Sequence, residues 1–269
     1  MNDILQSGGR GPAVGALQTQ LVKAGYLIEV TGIFDAATET AVRALQRMHG
    51  LVMDGKVGDK TRAALGNPNT SRQMRESDFV DAAERLGVSP ACIKAVNSVE
   101  SNGAGFLPDG RPCILFERHV FYDRLRVHGA DPALHAVTSP DIVDTRRGGY
   151  TGGAAEHARL AAAVQICRPA ALESASWGAF QIMGFHWRRL GHESSDAFVA
   201  AQHRSEGAQL AAFVKFIETD PALHKALVDR KWAVFARRYN GPAYAENNYD
   251  VKLERAYECY AAKGGKAVA

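Results

Sequence analysis

Cysteine is scarce in this chain of 269 residues: Cys92, Cys113, Cys167 and Cys259 are widely scattered, and no two form a CxxC pair. That spacing excludes a zinc ribbon or a redox dithiol and predicts free, buried thiols in a reducing compartment. Long apolar runs are missing as well. No stretch approaches the roughly 18–20 residues needed to span a bilayer, so no membrane insertion is expected. The start, MNDILQSGGRGP, has no cationic segment and no apolar core, so no secretion signal is expected and folding is assigned to a cytoplasm. Charge of one sign is not in excess either: 32 Lys and Arg face 29 Asp and Glu, for a net +3. Nucleic-acid binders carry a concentrated basic stripe, so no nucleic-acid partner is expected. Nine histidines are present without an HExxH pattern. His192-Glu193 lacks a second His at the required spacing, and Glu156-His157 stands alone, so neither a metal nor another cofactor is implied. There is no GxSxG elbow and no Cys in a nucleophile motif.

What is present is an ordinary globular composition, 46% hydrophobic and 23% charged, over a length that suits two domains. Residues 1–66 contain an internal repeat. One copy reads Leu17-Gln18, Gly25-Tyr26, Thr31-Gly32-Ile33-Phe34, Thr38 and Ala41-Val42. The other reads Leu45-Gln46, Gly50-Leu51, Asp54-Gly55-Lys56-Val57, Thr61 and Ala64-Leu65. Each copy predicts helix, tight turn and helix start, with glycines 32 and 55 at turns needing positive φ. The sum is a small three-helix bundle. Residues 67–75 are short, polar and rich in turn formers, and read as a linker to a domain over 76–269.

The stretch from Pro90 to His119, PACIKAVNSVESNGAGFLPDGRPCILFERH, organises the second domain. Ser89-Pro90 is a strong helix start. Ile93, Val96 and Glu100 then fall at i, i+3 and i+7, which points Glu100 inward from the end of a mostly apolar helix. Gly103 and Gly105 should stop that helix. Desolvation and the negative end of the helix dipole both favour a protonated carboxyl, so Glu100 should have a raised pKa and could act as a general acid. A short apolar strand over 111–116 follows the turn at Pro108-Asp109-Gly110, and Glu117 closes it. Beyond it the pattern predicts helices at about 118–127, 154–167, 195–218 and 222–238, a final amphipathic helix, and a turn-rich rim loop over 128–153.

The repeat closely resembles the peptidoglycan-binding domain of many cell-wall hydrolases, LQxxLxxxGY then DGxFGxxTxxAVxxFQ then GLxxDGxVGxxTxxAL. Thr31, Asp35 and Leu45 depart from that pattern, where Asp, Gly and Phe are usual. The segments VESNGAGFLPDGRPCILFERHVFY, SASWGAFQIMGFHW and RRYNGPAYAENNYDVKLERAY resemble the lysozyme superfamily, and within it the phage N-acetylmuramidase domain. The expected fold is therefore mainly α: a wall-binding bundle plus a lysozyme-like helical domain with a short β-hairpin.

The resemblance implies hydrolysis of the β-1,4 bond between N-acetylmuramic acid and N-acetylglucosamine in bacterial peptidoglycan, with Glu100 as general acid. Glu117 is the candidate second carboxylate, against the alternative of a structural pair with Arg118 or Arg147; Glu173 and Asp109 are lesser candidates. Ser176, Trp177 and Gln181 would line the sugar groove, with Phe185 or Trp187 stacking on a ring, although Trp177 and Phe180 could instead be core. Tyr239 and Asn240 match the superfamily's YN pair, with the tyrosine hydroxyl aimed at Glu100. Tyr244, Asn247 and Asn248 would extend the groove or cap the last helix. A monomer is expected, held in the host cytoplasm until the membrane is opened and then acting on the wall in the periplasm. A lytic transglycosylase, a chitinase-like enzyme and a non-catalytic wall-binding protein stay open as rivals.

Overall fold

The computed structural model describes residues 4–24, 26–66, 72–100, 105–241 and 248–264. Gly25, Gly103, Tyr244, Asn247 and most of the expected linker lie outside the described residues. The chain divides into two compact units, Met1–Asp81 and Ala82–Ala269.

The first unit holds α1 (Pro12–Lys23), α2 (Ala36–Met48) and α3 (Asp59–Gly66). Val14, Leu17, Leu21, Phe34, Ala41, Val42, Leu45 and Val57 form its core. The repeat has a physical meaning here. Gln18 is fully buried, and its Oε1 accepts from Thr31 N at 3.0 Å and Gly32 N at 2.8 Å. Its Nε2 donates to Ile33 O and Thr38 Oγ1, both at 2.9 Å. Gln46 does the same for the second turn: Oε1 accepts from Gly55 N, and Nε2 donates to Lys56 O and Asp54 Oδ1, all at 2.9 Å. A helical glutamine thus satisfies the backbone of the turn that follows it, twice. Asp35, one of the departures from the family pattern, is the N-cap of α2, accepting from Thr38 N at 2.8 Å. Gln18→Ala should strip a whole turn of its buried partners and lower the stability of this unit by about 2–4 kcal/mol, read as a lower urea midpoint.

The second unit contains α5 (Pro90–Glu100), β1 (Ile114–Phe116), α6 (Arg118–Val127), α7 (Pro132–Thr138), α8 (Ala155–Ile166) and α9 (Arg168–Glu173). Then come β2 (Ala175–Trp177), β3 (Ile182–Met183) and a 3-10 turn at Gly184–His186. It ends with α10 (Ser195–Arg204), α11 (Glu206–Glu218), α12 (Pro221–Val228), α13 (Trp232–Asn240) and α14 (Tyr249–Gly264). Helix α4 (Glu76–Leu86) crosses the division between the units. The strands form one antiparallel sheet in the order β1-β2-β3, with Ile114 opposite Trp177 and Ser176 opposite Met183. Helix α5 packs against α14, and α8 packs against α9 and β1. Ile93, Val96, Phe116, Phe121, Leu125, Phe213, Phe235 and Leu253 are fully buried among these elements.

Several expected spans are broken in the structure. The span 195–218 is two helices, because Ser205 is extended and its hydroxyl caps α11 by accepting from Ala208 N at 3.1 Å. The span 222–238 divides at Arg230, which sits at φ +53°. The rim loop contains α7, started by Asp131 as N-cap and Pro132 as the first helical residue. Of the cysteines, Cys92 is buried, Cys113 and Cys167 are partly exposed, and Cys259 is exposed, which corrects the expectation of four buried thiols. Among the described residues no helix is long and apolar enough to cross a membrane.

Candidate active site

Glu100 is the last residue of α5. The face carrying Ile93 and Val96 is fully buried, and it draws the Glu100 carboxyl inward with it. Burial pushes its pKa up to about 7, against a hydrogen bond from Asn240 that pulls it down. That bond runs from Asn240 Nδ2 to Glu100 Oε1 at 2.8 Å. Occupation of Oε1 by a donor leaves Oε2 as the oxygen that carries the proton.

The expected tyrosine contact is corrected. The Tyr239 hydroxyl donates to Phe180 O at 2.8 Å instead of to Glu100. Its ring stacks on Phe235 and meets Phe213 and Phe216 edge-on. Burial, with the nearby Glu100 charge, raises its pKa well above the ordinary phenol value, so it stays a donor. Tyr239 therefore ties α13 to the turn after β2, and Asn240 beside it reaches the carboxyl. Sequence reasoning passed over Tyr249 at the start of α14, whose pKa is raised by burial and by the charge of Glu100.

The turn between β2 and β3 is built around Gly178, at φ +73° with Gln209 packed against its Cα. Ala179 N donates to Gln209 Oε1 at 2.8 Å, and Gln209 Nε2 donates to Gly105 O at 3.2 Å. One buried glutamine thus joins this turn to the segment that follows the Glu100 helix. Gln181 is exposed and sits at φ +48°, a strained setting for a residue with a side chain. Its Oε1 accepts from the buried Ser176 hydroxyl at 2.6 Å, and its Nε2 donates to Gly178 O at 2.8 Å. Ser176 acts on this turn from below, and Gln181 is the group it presents. Trp177 is a correction. It is 2% exposed, and its indole N–H donates to Leu172 O at 3.2 Å, so it is core beneath the turn. Phe180 is also buried, stacked on Phe213 at 4.5 Å.

Glu117 sits just past the end of β1, at the N-cap position of α6 without capping it. Both carboxylate oxygens face the Tyr150 hydroxyl, at 3.0 and 2.9 Å, and His119 Nδ1 lies 3.2 Å from Oε2. Arg118, the alternative partner, instead donates to Arg146 O, Pro140 O and Arg147 O and pairs with Asp144. Glu173 is taken up structurally. It is 3% exposed and accepts from Arg124 at 2.7 Å, Trp187 at 2.8 Å and His128 at 3.0 Å. Burial raises its pKa, but those partners outweigh it and the net shift is downward. The same bond ties the indole N–H of Trp187 to the end of α9, and Arg188 lies over its ring at 4.9 Å. Asp109 is bound by Arg111 at 2.6 Å at the surface. Among the described residues no group of three or more His, Cys, Asp or Glu is placed to hold a metal ion.

Comparison with known proteins is consistent with this geometry. Residues 89–261 match the family model described as N-acetylmuramidase, and residues 10–65 match a putative peptidoglycan binding domain. The crystal structure of a Burkholderia AP3 phage endolysin superposes with a TM-score of 0.89 at 50% identity, covering 97% of this chain and 100% of that one. An N-acetylmuramoyl-L-alanine amidase of Bacillus licheniformis is 31% identical over 105 residues, which are 38% of this chain and 28% of that protein. The chain thus spans about a quarter of that relative's length.

Proposed function

The chain belongs to the N-acetylmuramidase family, and from that premise we propose that it cleaves the β-1,4 bond between N-acetylmuramic acid and N-acetylglucosamine, with Glu100 as general acid. It is a glycoside hydrolase, and peptidoglycan is its substrate. The observation that carries the finer reading is the Glu100 carboxyl: buried at a helix end, with one oxygen held by Asn240 and a pKa of about 7. A glycosidic oxygen leaves poorly as an alkoxide, so a proton must reach it as the bond lengthens and the sugar gains oxocarbenium character. Glu100 Oε2 gives that proton. Glu117 serves as the second carboxylate, facing the cation or activating the water that attacks it. Gln181, held by Ser176, meets the acetamido or hydroxyl groups of the sugar. Asn240 keeps the acid oriented, and Tyr239 holds α13 in place so that Asn240 reaches it.

Residues 1–66 act as the wall-binding domain, 67–75 as the linker and 76–269 as the catalytic domain. The protein works as a monomeric endolysin. It is held in the host cytoplasm until another protein opens the membrane, and then acts on the wall from the periplasmic side. Mass spectrometry of digested peptidoglycan tests the reaction. Fragments ending in a reducing N-acetylmuramic acid are expected. Anhydro-muramic ends would overturn the hydrolytic reading in favour of a lytic transglycosylase, and an undigested wall would leave a binding protein.

A further inference from the structure

The segment between α7 and α8 is fastened on both sides of one aromatic residue. On one side, Arg118 of α6 donates to Arg146 O at 3.0 Å, Arg147 O at 3.1 Å and Pro140 O at 3.2 Å. Its guanidinium also lies against Gly149, where an added Cβ would come within 3.2 Å of it. On the other side, the buried Glu156 of α8 accepts from Thr151 N at 2.7 Å and Gly152 N at 2.9 Å. Gly148, Gly149, Gly152 and Gly153 all take positive φ, so the chain turns sharply before and after the fastened pair. Tyr150 stands between the two fasteners. Its side chain is bulky and apolar but 45% exposed, and its hydroxyl lies 3.0 and 2.9 Å from the two oxygens of Glu117. Burial and the Glu117 carboxylate raise its own pKa, which keeps the hydrogen in place to be donated.

Both fasteners bond to the backbone of the loop and not to the hydroxyl of the tyrosine. Together they fix the backbone on both sides of it, which sets where its hydroxyl falls. We infer that Tyr150 is a positioning residue for Glu117: its hydroxyl, held by a loop pinned at Arg118 and Glu156, fixes the carboxylate in one orientation before the glycan arrives. A donor shared between both oxygens restricts rotation about the last side-chain bond, and a fixed carboxylate needs no reorganisation when charge develops on the sugar. This inference rests on Glu117 being the second carboxylate.

The test is a double-mutant cycle on a soluble glycan oligomer, with Tyr150→Phe and Glu117→Gln made singly and together. Tyr150→Phe should lower kcat about tenfold and leave KM within about twofold, because the contact orients a catalytic group and does not bind sugar. Once Glu117 is Gln, adding Tyr150→Phe should cost nothing further. Equal losses in both backgrounds, or a raised KM with kcat intact, would assign the tyrosine to sugar contact and overturn the inference. A Glu117→Gln enzyme with parental kcat would instead remove the second-carboxylate role, and the inference with it. Ultraviolet titration of the phenol adds an independent readout: Glu117→Gln should bring Tyr150 ionisation down in pH. An unmoved titration would mean that the contact does not persist in solution.

Discussion

Replacing Glu100 with Gln is expected to lower the rate of wall lysis by about 10²–10⁴-fold, the usual worth of a positioned general acid. Gln keeps the shape, and its carbonyl oxygen can still accept from Asn240 Nδ2, so the site should stay assembled. Retention on insoluble peptidoglycan should match the parent, because residues 10–65 carry the wall-binding match. The same substitution has a second, opposite consequence. The folded state holds the Glu100 proton to about pH 7, whereas the ordinary value is 4.5. Between those values the folded protein binds more protons than the unfolded chain, so raising the pH through this window costs stability, and above it the full cost applies. A shift of that size corresponds to about 3 kcal/mol. Glu100→Gln should therefore melt with the parent at pH 4 and above it at pH 8, while parental activity declines as pH rises past about 7. Lysis by the variant would reject Glu100 as the acid. Identical melting at pH 8 would reject its burial.

The parts of this site that the sequence exposes are those set by local geometry. The spacing of Ile93, Val96 and Glu100 on one helix is enough to turn the carboxylate inward, and the structure buries that face. The repeated Leu-Gln pair is legible for the same reason, since Gln18 and Gln46 each bond to a turn within twenty residues. What stayed hidden depends on partners far along the chain. Tyr239 and Asn240 are adjacent, but helix geometry points them about 100° apart, and the docking of α13 decides which one reaches Glu100. Trp177 lies on a three-residue strand whose residues are all buried, and nothing local says whether its indole lines a groove or fills the core. Tyr150 lay unnoticed in a turn-rich loop because its partner Glu117 is 33 residues away. Ser205 is different: a serine three residues before an Ala-rich run is a legible cap, and an unbroken apolar period concealed it.

Glu156 is the clearest case of a structural carboxylate that composition alone cannot distinguish from a catalytic one. It is fully buried, and every acceptor position it offers is used. Oε2 takes Phe116 N at 3.0 Å and Arg159 Nη1 at 2.8 Å. Oε1 takes Thr151 N at 2.7 Å, Gly152 N at 2.9 Å and Thr151 Oγ1 at 3.1 Å. Arg159 in turn donates to Phe116 O at 3.0 Å and Asp141 O at 2.8 Å. Burial pushes the Glu156 pKa up, but the N–H donors of Gly152, Phe116 and Thr151 and the charge of Arg159 outweigh it, leaving the pKa below the ordinary value. Its stabilisation is therefore complete above about pH 4.5 and lost as the pH falls through the lower folded-state value. Glu156→Gln puts an amide where two donors converge and leaves Arg159 buried beside no anion. Breaking one side of a buried pair in this way costs about 3–5 kcal/mol, which for a unit of this size lowers Tm by about 10 °C. The deficit should be largest at neutral pH and shrink in acid, where the parent also loses the charge. A variant melting within 2 °C of the parent at pH 7 would mean that these bonds are replaced by water at little loss, and that the segment carrying Tyr150 does not depend on this anchor.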